Sequence, residues 1–206
     1  MKRNSDKDVN NLWQSFQTGN NDSFTAIYNT YSNQLIAYGY KLSLDQDTVH
    51  DSIQEIFIDL YLKPKKRNAD IKNLKSYLFI ALRNKIYKKL QRNSRLETLD
   101  TSKENVELVF HVEYSYQEKL AQDEISMEIK KLLQHATAKL PSKQKEIIYL
   151  KFEEEMSYED ISVIMHISVE SARKLFYRAM LSLRGYIEKK ELKTIFFIFF
   201  RKNNSN

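Results

Sequence analysis

The 206-residue sequence predicts an all-α protein of two small helical domains joined by a linker, the second a helix-turn-helix, and three observations carry that prediction. The chain holds three Gly and two Pro. Average usage of roughly 7% and 5% would give about 25 together, and sandwiches, propellers and doubly wound sheets need tight turns that consume both. Apolar residues recur at three- and four-residue spacing through most of the chain, the period of a helix with one buried face. Between two such stretches, from about 96 to 119, the pattern fades into Ser, Thr, Asn and charge, which reads as the linker.

Residues 1–20 read as a polar arm with a short amphipathic piece around Trp13 and Phe16. The first domain, 21–95, opens with a helix that Asp22 or Ser23 can cap. Its apolar face is Phe24, Ile27, Tyr28, Tyr31, Leu35, Tyr38 and Leu42. Gly39 falls inside this helix, and nothing in the pattern explains it. A second helix, about 47–62, buries Val49, Ile53, Ile56, Phe57 and Leu60, and Pro64 ends it because the residue before a proline avoids helical geometry. A basic loop, 63–73, leads to a third helix carrying Leu74, Tyr77, Leu78, Ala81, Leu82, Ile86 and Leu90.

The second domain, 120–190, starts with a helix through Ile125, Ile129, Leu132, Leu133, Ala136 and Leu140. Pro141 follows, a residue tolerated in a first helical turn, then short helices at about 142–152, 157–165 and 168–186. The tail, 191–206, is apolar and basic. Its run Ile195-Phe196-Phe197-Ile198-Phe199-Phe200 is far short of the ~20 apolar residues of a spanning helix. It reads as a satellite helix on the second domain or as an exposed partner surface.

Charge is unevenly placed. Between residues 63 and 95 twelve Lys and Arg face one acid, Asp70, for a net +11, while the chain as a whole is only +6. The basic character therefore belongs to one segment of an otherwise acidic protein, and clustered charge of this kind points to a polyanion. Cys is absent, which removes disulfides and thiolate chemistry and fits a reducing cytoplasm. No metal site and no catalytic constellation is expected: His50, His111, His135 and His166 are dispersed, and no P-loop or nucleophile elbow occurs. No cofactor is implied, and the polar first residues hold no secretory core.

Three features carry chemistry. Asp47, Asp51, Glu55 and Asp59 are each four apart and line one helix face, at a small repulsive cost. That face is either displayed to a basic partner or merely solvated and screened by nearby lysines. In the +11 segment, Lys75, Arg83, Lys85, Lys88, Lys89 and Arg92 flank an apolar stripe with Tyr77, Phe79 and Tyr87 between them. Cations neutralise phosphates, and aromatic faces stack unpaired bases. Finally, Ser157-Tyr158-Glu159-Asp160 is a capping pattern, His166-Ile167-Ser168 a short turn with Ser168 as the next cap, and Val169, Ala172, Phe176, Ala179 and Leu183 a buried stripe. Glu170, Ser171, Arg173, Lys174, Tyr177 and Arg178 lie opposite, as in a helix-turn-helix whose second helix enters the DNA major groove.

In this order the features resemble a bacterial sigma factor of the sigma-70 family, extracytoplasmic-function type. Phe24-Thr25-Ala26-Ile27-Tyr28-Asn29-Thr30-Tyr31 is similar to that family's opening helix. Asp51-Ser52-Ile53-Gln54-Glu55-Ile56-Phe57 resembles its D-x-x-Q-E-x-F motif. Ser76-Tyr77-Leu78-Phe79-Ile80-Ala81-Leu82-Arg83-Asn84 resembles its W-L-x-x-I-A-x-N segment, with Tyr77 in place of Trp. Leu140-Pro141 and Ser157-Tyr158-Glu159-Asp160-Ile161 resemble its L-P and S-Y-E-E-I pattern. The resemblance implies a domain 2-like unit, then a domain 4-like, winged-helix-like helix-turn-helix, and a non-catalytic cytoplasmic subunit that directs core RNA polymerase to promoters. It implies that Asp51, Gln54 and Glu55 dock on the β′ clamp helices. Lys65, Lys66, Arg67, Arg83, Asn84, Lys85, Tyr87, Lys88 and Lys89 would bind and open the minus-ten element of promoter DNA. Ser168, Ser171, Arg173, Lys174, Tyr177 and Arg178 would read the minus-thirty-five element. An anti-sigma factor is a further candidate partner. His166 stands where the family usually has Gly, in a turn that calls for positive φ, and Leu175 where a polar residue is usual. The alternative reading is an ordinary helix-turn-helix transcription regulator with a protein-binding N-terminal domain. A nucleic-acid enzyme is the third, and no metal or nucleophile cluster supports it.

Overall fold

The structure, a computed structural model, describes residues 11–62, 71, 73–98, 108–111 and 133–187. Among these every regular element is helical. They fall into two compact units: the first takes the described residues up to His111 together with 163–165, and the second takes 133–162 and 166–187.

In the first unit, α1 (Asn21–Leu42), α2 (Gln46–Leu62) and α3 (Leu74–Thr98) pack pairwise on one another. Ile27, Tyr31, Leu35, Tyr38 and Leu42 of α1 meet Val49, Ile53, Ile56 and Leu60 of α2 and Leu74, Leu78, Leu82 and Ile86 of α3 in a core where each is at most 5% exposed. Most of the apolar spacing of the three helices thus becomes the core, while Phe24, Tyr77, Ala81 and Leu90, also expected on those faces, are half-buried. The helical residues 11–17 add Trp13 and Phe16, and Phe16 packs on Phe24 and Tyr61 at ring centroid distances of 5.0 and 5.8 Å.

The cap of α1, the end of α3 and part of the linker differ from expectation. The cap of α1 is Asn20, whose Oδ1 accepts the Asp22 N–H at 3.0 Å, not Asp22 or Ser23; Ser23 is already buried in the first turn. Asp45 starts α2 by accepting from the Asp47 and Thr48 N–H groups and, at 2.6 Å, from the Thr48 hydroxyl. These bonds hold its carboxyl below its ordinary pKa. Helix α3 continues to Thr98, past the expected domain edge at 95. Residues 108–111, expected within the linker, lie against the first unit: Phe110 is 1% exposed beside Tyr38, and the His111 N–H donates to the Lys41 carbonyl at 2.7 Å.

In the second unit the helical residues 133–138 bury Ala136. Helix α4 (Ser142–Ile148) follows Pro141 and runs on into one wider π turn at Tyr149–Glu153. There the Tyr149 hydroxyl donates to Glu154 Oε1 at 2.9 Å in the interior. Burial, and then the Glu154 charge, push the phenol far above its usual pKa, so it stays a donor. Helices α5 (Tyr158–Ile164) and α6 (Val169–Tyr186) complete the unit, and α4 packs on α6. The helix through Ile125, the loop residues 63–70, the arm before residue 11 and the tail at 195–200 lie outside the described residues.

Candidate functional site

The acidic helix presents its two faces as the spacing requires. Ser52, Ile53, Ile56 and Phe57 are buried, while Asp51, Gln54 and Glu55 are exposed. Asp51 and Gln54 help to line a groove of about 570 Å³ walled also by Phe24, Tyr28, His50, Phe57, Ile58 and Tyr61. Its aromatic wall is ordered by ring contacts, Tyr28 on Phe57 at 4.8 Å and Phe24 on Tyr61 at 5.1 Å. Tyr28, expected in the core, is 45% exposed here, and Ile58 and Tyr61 are 50% and 46% exposed. Sequence reasoning missed this wall. Its signal was present, because residues 51, 54, 58 and 61 are three or four apart and share one face.

The acidic stripe meets the basic helix within the same unit. Lys85 Nζ lies 2.8 Å from Glu55 Oε2 and 3.4 Å from Asp59 Oδ2, and Lys89 Nζ lies 3.0 Å from Glu55 Oε1 and 4.0 Å from Asp51 Oδ2. The hydrogen bonds from Lys85 and then Lys89 hold the Glu55 carboxyl below its ordinary pKa. Burial pulls Lys85 down, but the hydrogen bonds and charges of Glu55 and Asp59 outweigh it, and its ammonium is held above the usual value.

The other minus-ten candidates divide. Lys88 is exposed; Arg83, Asn84 and Tyr87 are half-buried; Lys65, Lys66 and Arg67 lie outside the described residues. Phe79, expected among the aromatics interleaved with the cations, is fully buried, 5.0 Å from the Tyr38 ring. It is core, not a stacking platform, because it joins Leu78 and Leu82 on the face of α3 that turns inward.

The helix-turn-helix forms as its caps dictate. Ser157 Oγ accepts the Asp160 N–H at 3.0 Å and donates to Asp160 Oδ2 at 2.6 Å, starting α5. The turn places His166 at φ 53°, the left-handed region expected of it. Ser168 then caps α6, its Oγ accepting the Ser171 N–H at 3.1 Å and lying 2.9 Å from Ser171 Oγ. Ala172, Ala179 and Leu183 face inward, with Val169 and Phe176 half-buried, and Phe176 meets Tyr158 edge-on at 5.9 Å. Ser168, Ser171, Arg173, Lys174, Tyr177 and Arg178 are all exposed, on the opposite side. Arg173 lies 3.4 Å from Glu159 and over the Tyr158 ring, and Lys174 lies 2.6 Å from Glu170. Such solvent-exposed pairs are worth only about 0–1 kcal/mol, so phosphates or bases can displace them.

Two family models match the chain: sigma-70 region 2 over residues 27–96, and sigma-70, region 4 over residues 130–183. Among curated relatives, the ECF RNA polymerase sigma factors SigM and SigW of Bacillus subtilis (strain 168) are each 24% identical. SigM aligns over 77% of this chain and 91% of its own length, and SigW over 81% and 89%. Among solved structures, the sigma factor RpoE in complex with the anti-sigma factor NepR, from Bartonella quintana, superposes with a TM-score of 0.52 at 26% identity, covering 79% of this chain and 95% of that one. CnrH, solved with the cytosolic domain of CnrY, shares the fold at a TM-score of 0.50 and 18% identity, over 84% of this chain and 93% of that one. No helix among the described residues is long and apolar enough to cross a membrane.

Proposed function

Since the chain belongs to the sigma-70 family of RNA polymerase sigma factors, extracytoplasmic-function type, we propose that it binds core RNA polymerase and directs it to specific promoters. The observation that carries this reading is the exposed face of α6, where Ser171, Arg173, Lys174, Tyr177 and Arg178 stand together behind a capped first turn. A helix with that face enters the major groove, where Arg and Lys reach guanine edges and the hydroxyls reach phosphates. In the proposed complex it reads the minus-thirty-five element.

The first unit does two jobs. The groove lined by Asp51 and Gln54 together with Tyr28, Ile58 and Tyr61 suits a basic, amphipathic partner helix, and we assign it to the β′ clamp helices. Arg83, Asn84, Tyr87 and Lys88 on α3, with the loop cations Lys65, Lys66 and Arg67, bind and open the minus-ten element. Cations hold the phosphates while aromatic faces take up unstacked bases. The protein works in the cytoplasm without catalysis of its own, and an anti-sigma factor is a natural competitor for its polymerase face. For this reading the promoter-opening domain takes in residues 11–17, helix α3 to Thr98 and residues 108–111 as well as the expected 21–95, and it leaves 120–190 as the reading domain and 191–206 as a tail.

In vitro transcription with core polymerase and a promoter library tests the proposal. Selective initiation is the expected result, with loss of upstream protection but unchanged polymerase affinity for Arg173→Ala combined with Lys174→Ala. Absence of any initiation, or an unchanged footprint over the minus-thirty-five region in that variant, counts against it. A pull-down in which core polymerase fails to bind favours an ordinary helix-turn-helix regulator.

A further inference from the structure

Of the three residues expected to dock on polymerase, Glu55, whose side chain is 48% exposed, is already engaged by two lysines of its own chain. Both of its oxygens are taken, Oε2 by Lys85 and Oε1 by Lys89. Each lysine also reaches a second carboxylate, Asp59 for Lys85 and Asp51 for Lys89. The lysine side chains are only 28% and 29% exposed, whereas Asp51 is 67% exposed. Asp51 and Gln54 line the groove and Glu55 does not.

The arrangement has a physical motive. Four carboxylates at four-residue spacing repel one another along α2, and their side chains splay apart unless something gathers them. Two ammonium groups from α3 gather three of them and leave the groove-side carboxylate, Asp51, with only the longest of the four contacts, 4.0 Å. A lysine shared between two carboxylates is poorly placed to neutralise a phosphate, because leaving would uncover both acids at once.

We propose that Glu55, Lys85 and Lys89 form an internal clamp between α2 and α3, with the two lysines acting as positioning residues for the polymerase-docking face and not as promoter contacts. The clamp fixes the register of α2 against α3 and presents Asp51 and Gln54 to the partner. It also fastens the helix that meets polymerase to the helix that opens DNA. This assignment rests on the reading that the groove face docks on polymerase.

The test uses the full chain with core polymerase and promoter DNA. Variants are Asp51→Asn, Gln54→Ala, Glu55→Gln, the pair Lys85→Gln with Lys89→Gln, that pair combined with Glu55→Gln, and the charge-keeping pair Lys85→Arg with Lys89→Arg. The lysine-to-Gln pair is expected to weaken core binding about fivefold, and adding Glu55→Gln to it to cost nothing more, because coupled residues are non-additive. The Arg pair restores most of the affinity. The slope of log affinity for promoter DNA against log salt stays unchanged in holoenzyme. A slope lower by about two, at roughly 0.9 per phosphate, shows that the lysines are promoter contacts and overturns the clamp; so do additive losses. If Asp51→Asn and Gln54→Ala leave core affinity intact, it is the docking reading that fails. The clamp is then judged by the same non-additivity in the thermal midpoints, and additive midpoints overturn it.

Discussion

Gly39 of α1 lies directly against Val49 of α2: a Cβ built on Gly39 would stand 2.5 Å from Val49 Cγ1. Both residues are buried, and the Ser43 N–H that closes α1 donates to the Gly39 carbonyl at 2.9 Å. The glycine is therefore there for helix approach. Ala at this site gains about 1 kcal/mol of helix propensity. The contact it makes is with a stiff β-branched side chain in a closed core, where overpacking costs roughly 1–3 kcal/mol. Gly39→Ala is expected to be destabilising on balance, and to cost less when Val49→Ala accompanies it. Urea denaturation of the full chain followed by helical circular dichroism measures both; a stabilised single variant contradicts the packing argument.

The ionic clamp carries a pH signature. The folded pKa of Glu55 is depressed below its ordinary 4.5. Its contribution is complete above that value and disappears as pH falls through the lowered one. Lys85 has the opposite sense: raised above 10.5, it contributes fully below that value and loses its share as pH rises through the higher one. The midpoint difference between the wild-type chain and Glu55→Gln should hence be flat from about pH 6 to 9 and close up below 4.5. A difference that persists unchanged at pH 3 would show that Glu55 contributes by packing alone.

His166 tests the turn of the helix-turn-helix. It holds φ 53° without being glycine, and a non-glycine residue in the left-handed region costs on the order of 1 kcal/mol. His166→Gly removes that strain while loosening the unfolded chain, so a gain of up to about 1 kcal/mol is expected, with promoter selectivity unchanged. Calorimetry of the variant and footprinting at the upstream element check the two halves. A loss of more than ~1 kcal/mol would mean that the imidazole, not the backbone, is what matters.

Ser168 separates capping from DNA contact. Its Oγ serves the Ser171 N–H, and removing such a cap costs about 1 kcal/mol. Ser168→Ala should lower the unfolding midpoint and weaken upstream promoter binding by fraying the turn that carries Ser171 and Arg173. Ser168→Asn keeps a capping oxygen and should restore both. If Asn restores stability while promoter binding stays weak, the hydroxyl itself touches DNA.

Much of the site was legible in advance for a local reason. Helical period and charge spacing lie within a few residues, so Asp51 and Glu55 on one face of α2, and Arg173, Lys174, Tyr177 and Arg178 on one face of α6, were placed before any packing was known; Gln54 and the positive φ at His166 were read only from the family resemblance. What misled was context. Tyr28 fits the spacing of the α1 core but lies at its margin, half-open above Phe57. Phe79 sits among lysines in sequence but turns inward to Tyr38.

The sequence by itself determined an all-helical chain, two periodic regions, the Ser157 and Ser168 caps with the turn between them, and which side chains share a face, because each of these follows from residues within one or two helical turns. Only the tertiary structure decided which faces meet. Glu55 and Lys85 are thirty positions apart, Gly39 touches Val49 across a helix junction, and His111 ties back to Lys41. Those pairings depend on how the buried stripes cross and how closely the helices approach, and that geometry is set by packing the whole core at once.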